Sequence, residues 1–319
     1  MRINLLFTRG LLAALLAVGV TSVSSQAQTT VSSQTSTTTE MKLAPATPTA
    51  FRVGLGPEGV ATDGASVYVA NQFSDTVTKL RASDGSVAGS YTVGNRPVAL
   101  AFDGAFVWVA NYLSNNVMKL DPASGAVVGT FAVGDGPGGL LATNGNIWVA
   151  NRNANTVTKL RASDGMTLGT YEVGTRPMCL ASDGTHVYVT NNNSDTVTKL
   201  RESNGVVAGV FAVGDGPFGI AFDGSSLWVA NFGSNNVTRL SPEGLVMGTY
   251  MAGDGPVSAV FSAGVVYVVN NGGDSVTKLS AGDGANLGSI AVGRGPIGVA
   301  VSGSTVWVTN SGANTVTKR

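Results

Sequence analysis

The feature that most constrains this chain is a unit that recurs seven times. Pro57, Pro97, Pro137, Pro177, Pro217, Pro256 and Pro296 stand 40, 40, 40, 40, 39 and 40 residues apart. Fourteen residues after each proline comes an asparagine: Asn71, Asn111, Asn151, Asn191, Asn231, Asn270 and Asn310. Three residues before each asparagine is an aromatic: Tyr68, Trp108, Trp148, Tyr188, Trp228, Tyr267 and Trp307. Seven copies in one register are not chance. They restrict the chain to repeat architectures, in which each unit buries its apolar surface against its neighbours.

The first copy reads as four short strands. Strand A follows the proline (Val60 to Thr62), and Asp63-Gly64 turns the chain into strand B (Val67 to Ala70). Strand C (Thr76 to Leu80) alternates with period two, and Ser83-Asp84-Gly85 leads into strand D (Gly89 to Val93). The 43 glycines among 319 residues are about twice the ordinary share of about 7% and serve these turns. No stretch carries a helical period. Four-stranded units of this length predict an all-β fold, a seven-bladed β-propeller. Leucine-rich repeats are shorter, kelch repeats are longer, and the Gly-His and Trp-Asp signatures of WD40 repeats are missing.

The ends of the chain predict how the ring closes. The last unit stops after its strand C, at residues 315–319. Strand D elsewhere carries Tyr91, Phe131, Tyr171, Phe211 and Tyr250, with Ile290 in the same place, and 40 residues before Tyr91 is Phe51. The segment at about 46–54 is therefore expected to supply the missing strand D of the last blade, which removes an exposed sheet edge.

Ahead of the propeller (46–319), residues 1–27 have the layout of a secretory signal peptide. Arg2 and Arg9 precede an apolar run from Leu11 to Val20, and Ser25-Gln26-Ala27 offers a cleavage site. Ten apolar residues span about 15 Å as a helix, half of a bilayer core of about 30 Å. The run is thus read as a cleaved signal and not a retained anchor, leaving no transmembrane segment in the mature chain. The protein is expected to be exported: periplasmic, cell-surface or secreted. Residues 28–45, rich in Thr, Ser and Gln, read as a disordered spacer.

Charge excludes more than it suggests. Nineteen basic and nineteen acidic residues give a formal net charge of zero, with no overall pull toward nucleic acid or acidic membrane. One cysteine permits no internal disulfide, and one histidine excludes any site that needs two. The strand B cores read Tyr-Val-Ala-Asn, Trp-Val-Ala-Asn, Tyr-Val-Thr-Asn, Tyr-Val-Val-Asn or Trp-Val-Thr-Asn and, in strand C, are followed by Asn-Thr-Val-Thr-Lys-Leu or its variants. Over residues 46–319 this pattern resembles the YVTN β-propeller repeat family. The resemblance implies an extracytoplasmic seven-bladed propeller. Similar proteins include surface-layer components, periplasmic propellers and some described as DNA-binding. Streptogramin B lyases form a related group of seven-bladed propellers that use a magnesium ion and histidine. The d1-haem propellers, a more distant comparison, need histidine ligands.

Positions constant across the copies read as structural. The strand B aromatic is expected to pack between blades and the asparagine to cap the following turn with its side chain. The small residues two after each proline (Gly59, Ala99, Gly139, Cys179, Gly219, Ser258, Gly298) are expected to line a crowded axis. Cys179 thus fills a small slot with no base beside it in sequence, and His186 sits at a strand end. The cations of strand C (Lys79, Lys119, Lys159, Lys199, Arg239, Lys278, Lys318) read as solvent-facing, one per blade. No catalytic residue, metal ligand or cofactor is assigned.

Because the strands alternate in direction, the D–A and B–C loops share one face and the A–B and C–D turns the other. The first face carries Arg96, Arg152, Arg176 and Arg294 with Phe73, Tyr112 and Phe232, residue types that dominate binding hot spots. The sequence therefore points to a non-catalytic binding or scaffold module that uses this face for a protein, glycan or small-molecule ligand. The alternatives are a magnesium-dependent lyase-like enzyme, a cell-envelope structural protein and a single-stranded nucleic-acid binder. Nucleic acid is not favoured, since Asp135, Asp215 and Asp254 mix the local field.

Overall fold

The computed structural model describes residues 49–319; the segments read from the sequence as a signal peptide (1–27) and a spacer (28–45) lie outside the described residues. The described chain forms seven four-stranded antiparallel sheets, each in A-B-C-D order, arranged as a β-propeller. Blade 1 is A Pro57–Thr62, B Ser66–Asn71, C Thr76–Arg81 and D Val87–Thr92. Every later blade likewise begins its strand A at the repeat proline. No helix occurs among the described residues, and none is therefore long and apolar enough to cross a membrane.

The seventh blade is closed from the other end of the chain, as the repeat phase predicts. Thr49–Arg52 pairs antiparallel with Thr315–Lys318, Phe51 standing opposite Val316. Phe51 packs on Trp307 with ring centroids 5.9 Å apart. Phe131 meets Trp108 in the same way at 5.5 Å in blade 2, so the borrowed strand fills an ordinary strand D slot.

The core lies between blades. One apolar cluster joins Tyr68, Ala70 and Val77 of blade 1 to Leu100, Val107 and Val109 of blade 2. Another joins Trp307 and Val316 of blade 7 to Val67, Val69 and Leu80 of blade 1. The strand B aromatics occupy these seams as expected, and Trp108, Trp148, Trp228 and Trp307 are fully buried. At the axis the strands A do crowd one another: a side chain on Gly139 would strike the Met178 carbonyl, and one on Gly298 that of Glu58.

Two sequence expectations are corrected. The repeat asparagines are fully buried, and their side chains do not cap the turn. Asn191 Nδ2 donates to the Thr196 and Thr198 hydroxyls at 3.1 and 2.8 Å, tying strand B to strand C. Six of the seven strand C cations, all but Lys278, are not solvent-facing. Lys79 Nζ donates to the Pro122 carbonyl at 2.6 Å, Lys119 to Ala162 at 2.7 Å and Lys159 to Glu202 at 2.6 Å. Lys199, Arg239 and Lys318 make the same reach to the next blade's C–D turn. Each stem crosses the strand B aromatic; Lys119 Nζ, for example, lies 5.2 Å from the Trp108 ring centroid. The residue type allowed the error: a lysine on an alternating strand reads as a solvated face, whereas here it snorkels over an aromatic to a carbonyl.

Candidate functional site at the channel mouth

The loops sort by face as the strand directions require. In the B–C loops, the residue four after each repeat asparagine adopts a left-handed backbone: Asp75, Asn115, Asn155, Asp195, Asn235, Asp274 and Asn314. Its Oδ1 accepts from the amide that precedes the next blade's proline, as Asp75 does from Arg96 at 2.8 Å and Asn314 from Gly56 at 2.8 Å. Seven such bonds lock the D–A and B–C loops into one rigid rim.

That rim exposes a departure in two blades. The residue before the proline has positive φ in every blade, and in five it is glycine. In the other two it is Arg96 (φ 56°) and Arg176 (φ 58°). A left-handed backbone costs a non-glycine residue roughly 1–3 kcal/mol, because its β-carbon crowds the neighbouring carbonyl. A long cationic side chain is thus kept at a position where its backbone is strained.

Arg96, Arg152 and Tyr112 converge at the axial end of this face. The Arg96 guanidinium carbon lies 4.9 Å from the Tyr112 ring centroid and that of Arg152 5.9 Å. Arg96 Nε also donates to Gln72 Oε1 at 3.3 Å. Arg152 extends over blade 3 toward the axis, where its guanidinium carbon stands 5.8 Å from the Phe218 ring centroid of blade 5. Its Nη2 donates to the Gly138 carbonyl at 2.7 Å and pairs with Glu58 Oε1 of blade 1 at 3.7 Å. The path exists because residue 138 is glycine: a β-carbon there would collide with Arg152 Nε.

Below these groups is an axial cavity of about 180 Å3, lined by Glu58, Arg152, Cys179, Phe218 and mostly apolar strand A residues such as Val98 and Leu180. Burial raises the Glu58 carboxyl above its ordinary range, against the opposing pull of the Arg152 and Arg96 guanidinium groups. Burial likewise pushes the Cys179 thiol up to about 11, with Arg152 opposing and Glu58 adding to the rise. The thiol is held neutral, which removes it as a nucleophile. Arg152 Nε is buried with no hydrogen-bond partner among the described residues.

The other sequence-selected residues separate into a second tier. Phe73 is 66% exposed and, with Gln72, Asn95, Arg96 and Leu113, walls a groove beside the mouth. Phe232 is 46% exposed on the same rim. Arg176 and Arg294 are exposed, and neither side chain makes a hydrogen bond or ion pair among the described residues. Sequence reasoning brought together Arg96, Arg152 and Tyr112 but missed Glu58, Gln72, Gly138 and Phe218. The column immediately after the repeat proline held the signal for three of them. It reads Glu58, Val98, Gly138, Met178, Phe218, Val257 and Ile297, with one acid and one glycine among apolar residues.

His186 is on the opposite face. It opens strand B of blade 4 next to the A–B turn, with Nδ1 2.9 Å from Thr185 Oγ1 and 3.5 Å from Asp183 Oδ2. Among the described residues no three His, Cys, Asp or Glu side chains gather in one place.

No protein-family profile and no curated protein matches the chain. Solved structures do. A streptogramin B lyase structure superposes with a TM-score of 0.75 at 17% identity, covering 85% of this chain and 96% of that one. Kuenenia stuttgartiensis hydrazine synthase superposes with a TM-score of 0.70 at 18% identity, covering 84% of this chain and 97% of that one. At these identities the likeness establishes the seven-bladed propeller fold and nothing finer.

Proposed function

We propose that this protein is an exported, non-catalytic binding module of the YVTN-repeat kind, and that its ligand docks on the D–A/B–C face at the mouth of the channel. The observation that carries the reading is the convergence of Arg96, Tyr112 and Arg152 there, with Arg96 held in a strained backbone where most blades use glycine. Strain kept at two of seven equivalent positions, Arg96 and Arg176, marks positions that serve something other than stability. The rigid rim and the exposed Phe73 and Leu113 beside Arg96 suit a preorganised docking surface. A lyase-like reading draws no support from His186, which faces away from the mouth.

The test is capture from envelope extract by the full chain and by a variant carrying Arg96→Gly, Phe73→Ala and Phe232→Ala. Loss of a captured ligand with the melting temperature kept supports the reading; equal capture moves the binding surface elsewhere. For export, N-terminal sequencing of the secreted or periplasmic protein is expected to begin at Gln28. Protein retained in the cytosol with Met1 intact contradicts it.

A further inference from the structure

We infer that the axial cavity is a binding site for a small organic monocarboxylate, whose apolar body fills the channel and whose carboxylate is held by Arg152. The inference rests on the reading of the channel mouth as a docking site and adds the ligand class.

Size comes first. An apolar cavity of about 150 Å3 accepts a molecule such as benzene, and this one measures about 180 Å3. It has room for a short aliphatic or single-ring group. Polarity comes second. The side chains of the walls are mostly apolar, with Val98, Leu140, Leu180, Phe218 and Val257 among them, while Glu58, Arg152 and glycine backbone add polar surface, so the ligand carries a hydrocarbon body and a polar end.

Charge fixes the polar end. Arg152 lines the cavity and is mostly buried, with its side chain 13% exposed; its Nε–H is sealed against Gly138, so a ligand meets the other nitrogens of the guanidinium. A buried guanidinium is costly unless its donors are used, and Glu58 meets Arg152 only at 3.7 Å from Nη2. Arg96 stands across Tyr112 and acts on Glu58 through space. Two guanidinium groups therefore face one carboxyl, which burial biases toward its neutral form. The excess positive charge selects an anion, and a planar carboxylate is the anion that a guanidinium fork matches within an apolar pocket. An amine or a neutral amide leaves the positive charge unanswered.

The test is isothermal titration of the full chain with butyrate and benzoate, against butyramide and butylamine as size-matched controls. Both carboxylates are expected to bind saturably, at least tenfold tighter than butyramide, with butylamine weakest. Gly138→Ala places a β-carbon on the Arg152 path and is expected to weaken butyrate at least tenfold. Glu58→Gln removes the internal competitor and is expected to tighten butyrate severalfold; it keeps the test open if the Gly138 variant does not fold. No saturable carboxylate binding, equal affinity for butyramide, or a preference for butylamine overturns the inference. So does unchanged affinity in both variants. If carboxylates fail while the envelope ligand is still captured in an Arg96-dependent way, only the ligand class falls and the docking face stands.

Discussion

Phe51→Ala tests whether the borrowed strand is a working part of the ring. Phe51 is partly buried on Trp307 and sits over Gly85 of blade 1, where a side chain in place of the glycine would strike its ring. It belongs to the seam formed by Val67, Val69, Leu80, Trp307 and Val316. Truncating a fully buried phenylalanine costs about 3–5 kcal/mol. Partial exposure brings this to about 2–3 kcal/mol, or about 4–12 °C in melting temperature at roughly 2–4 °C per kcal/mol for a chain of this size. The control is internal. Phe131 stacks on Trp108 in blade 2, over Gly165 of blade 3, the same slot in a blade built from contiguous chain. Scanning calorimetry is expected to show Phe51→Ala and Phe131→Ala lowering the melting temperature by similar amounts, each through one transition. A Phe51→Ala shift below a quarter of the Phe131→Ala shift would refute closure through this strand.

Three further outcomes follow from the same geometry. Asn191→Ala removes the donor shared by the Thr196 and Thr198 hydroxyls and is expected to cost about 2–3 kcal/mol in denaturant unfolding; a change under about 0.5 kcal/mol contradicts the buried linkage. Lys119→Met retains the apolar stem but strands the Ala162 carbonyl, and a loss of about 1–3 kcal/mol is expected, whereas a solvent-facing lysine would give almost none. For Glu58 the sign runs from its raised carboxyl. The unfolded state ionises first, so the ionised group destabilises the fold fully above its folded pKa, and the penalty fades as pH falls toward 4.5. Glu58→Gln is therefore expected to raise the melting temperature near pH 8 and to match the parent near pH 4. Protonation of Glu58 already leaves Arg152 unpaired, so the same bookkeeping covers the lost ion pair. A variant less stable at pH 8 would show that the pair outweighs its burial.

The fold was legible because it is written in spacing. The proline, aromatic and asparagine positions give blade number, and the offset of Phe51 from Tyr91 gives the closing partner. Side-chain direction was harder to read. Lys159 looks solvated in an alternating strand, yet it donates to Glu202 in the neighbouring blade, a contact set by how blades pack. The mouth was only partly legible. Arg96, Arg152 and Tyr112 stood out as loop residues, but Glu58 opens a strand and looks structural until the ring brings blades 1 and 3 within 3.7 Å. The strain at Arg96 is invisible without the backbone angle, although the glycines at the equivalent places in five blades foreshadow it.

The most direct test of binding at the channel mouth is the Arg152 Nε–H resonance in a 1H–15N spectrum, assigned by its loss in Arg152→Lys. The resonance is expected to shift and saturate as butyrate is added, since the carboxylate then pairs with the guanidinium that carries it. A resonance that stays in place across the titration, with the protein folded throughout, would contradict the account.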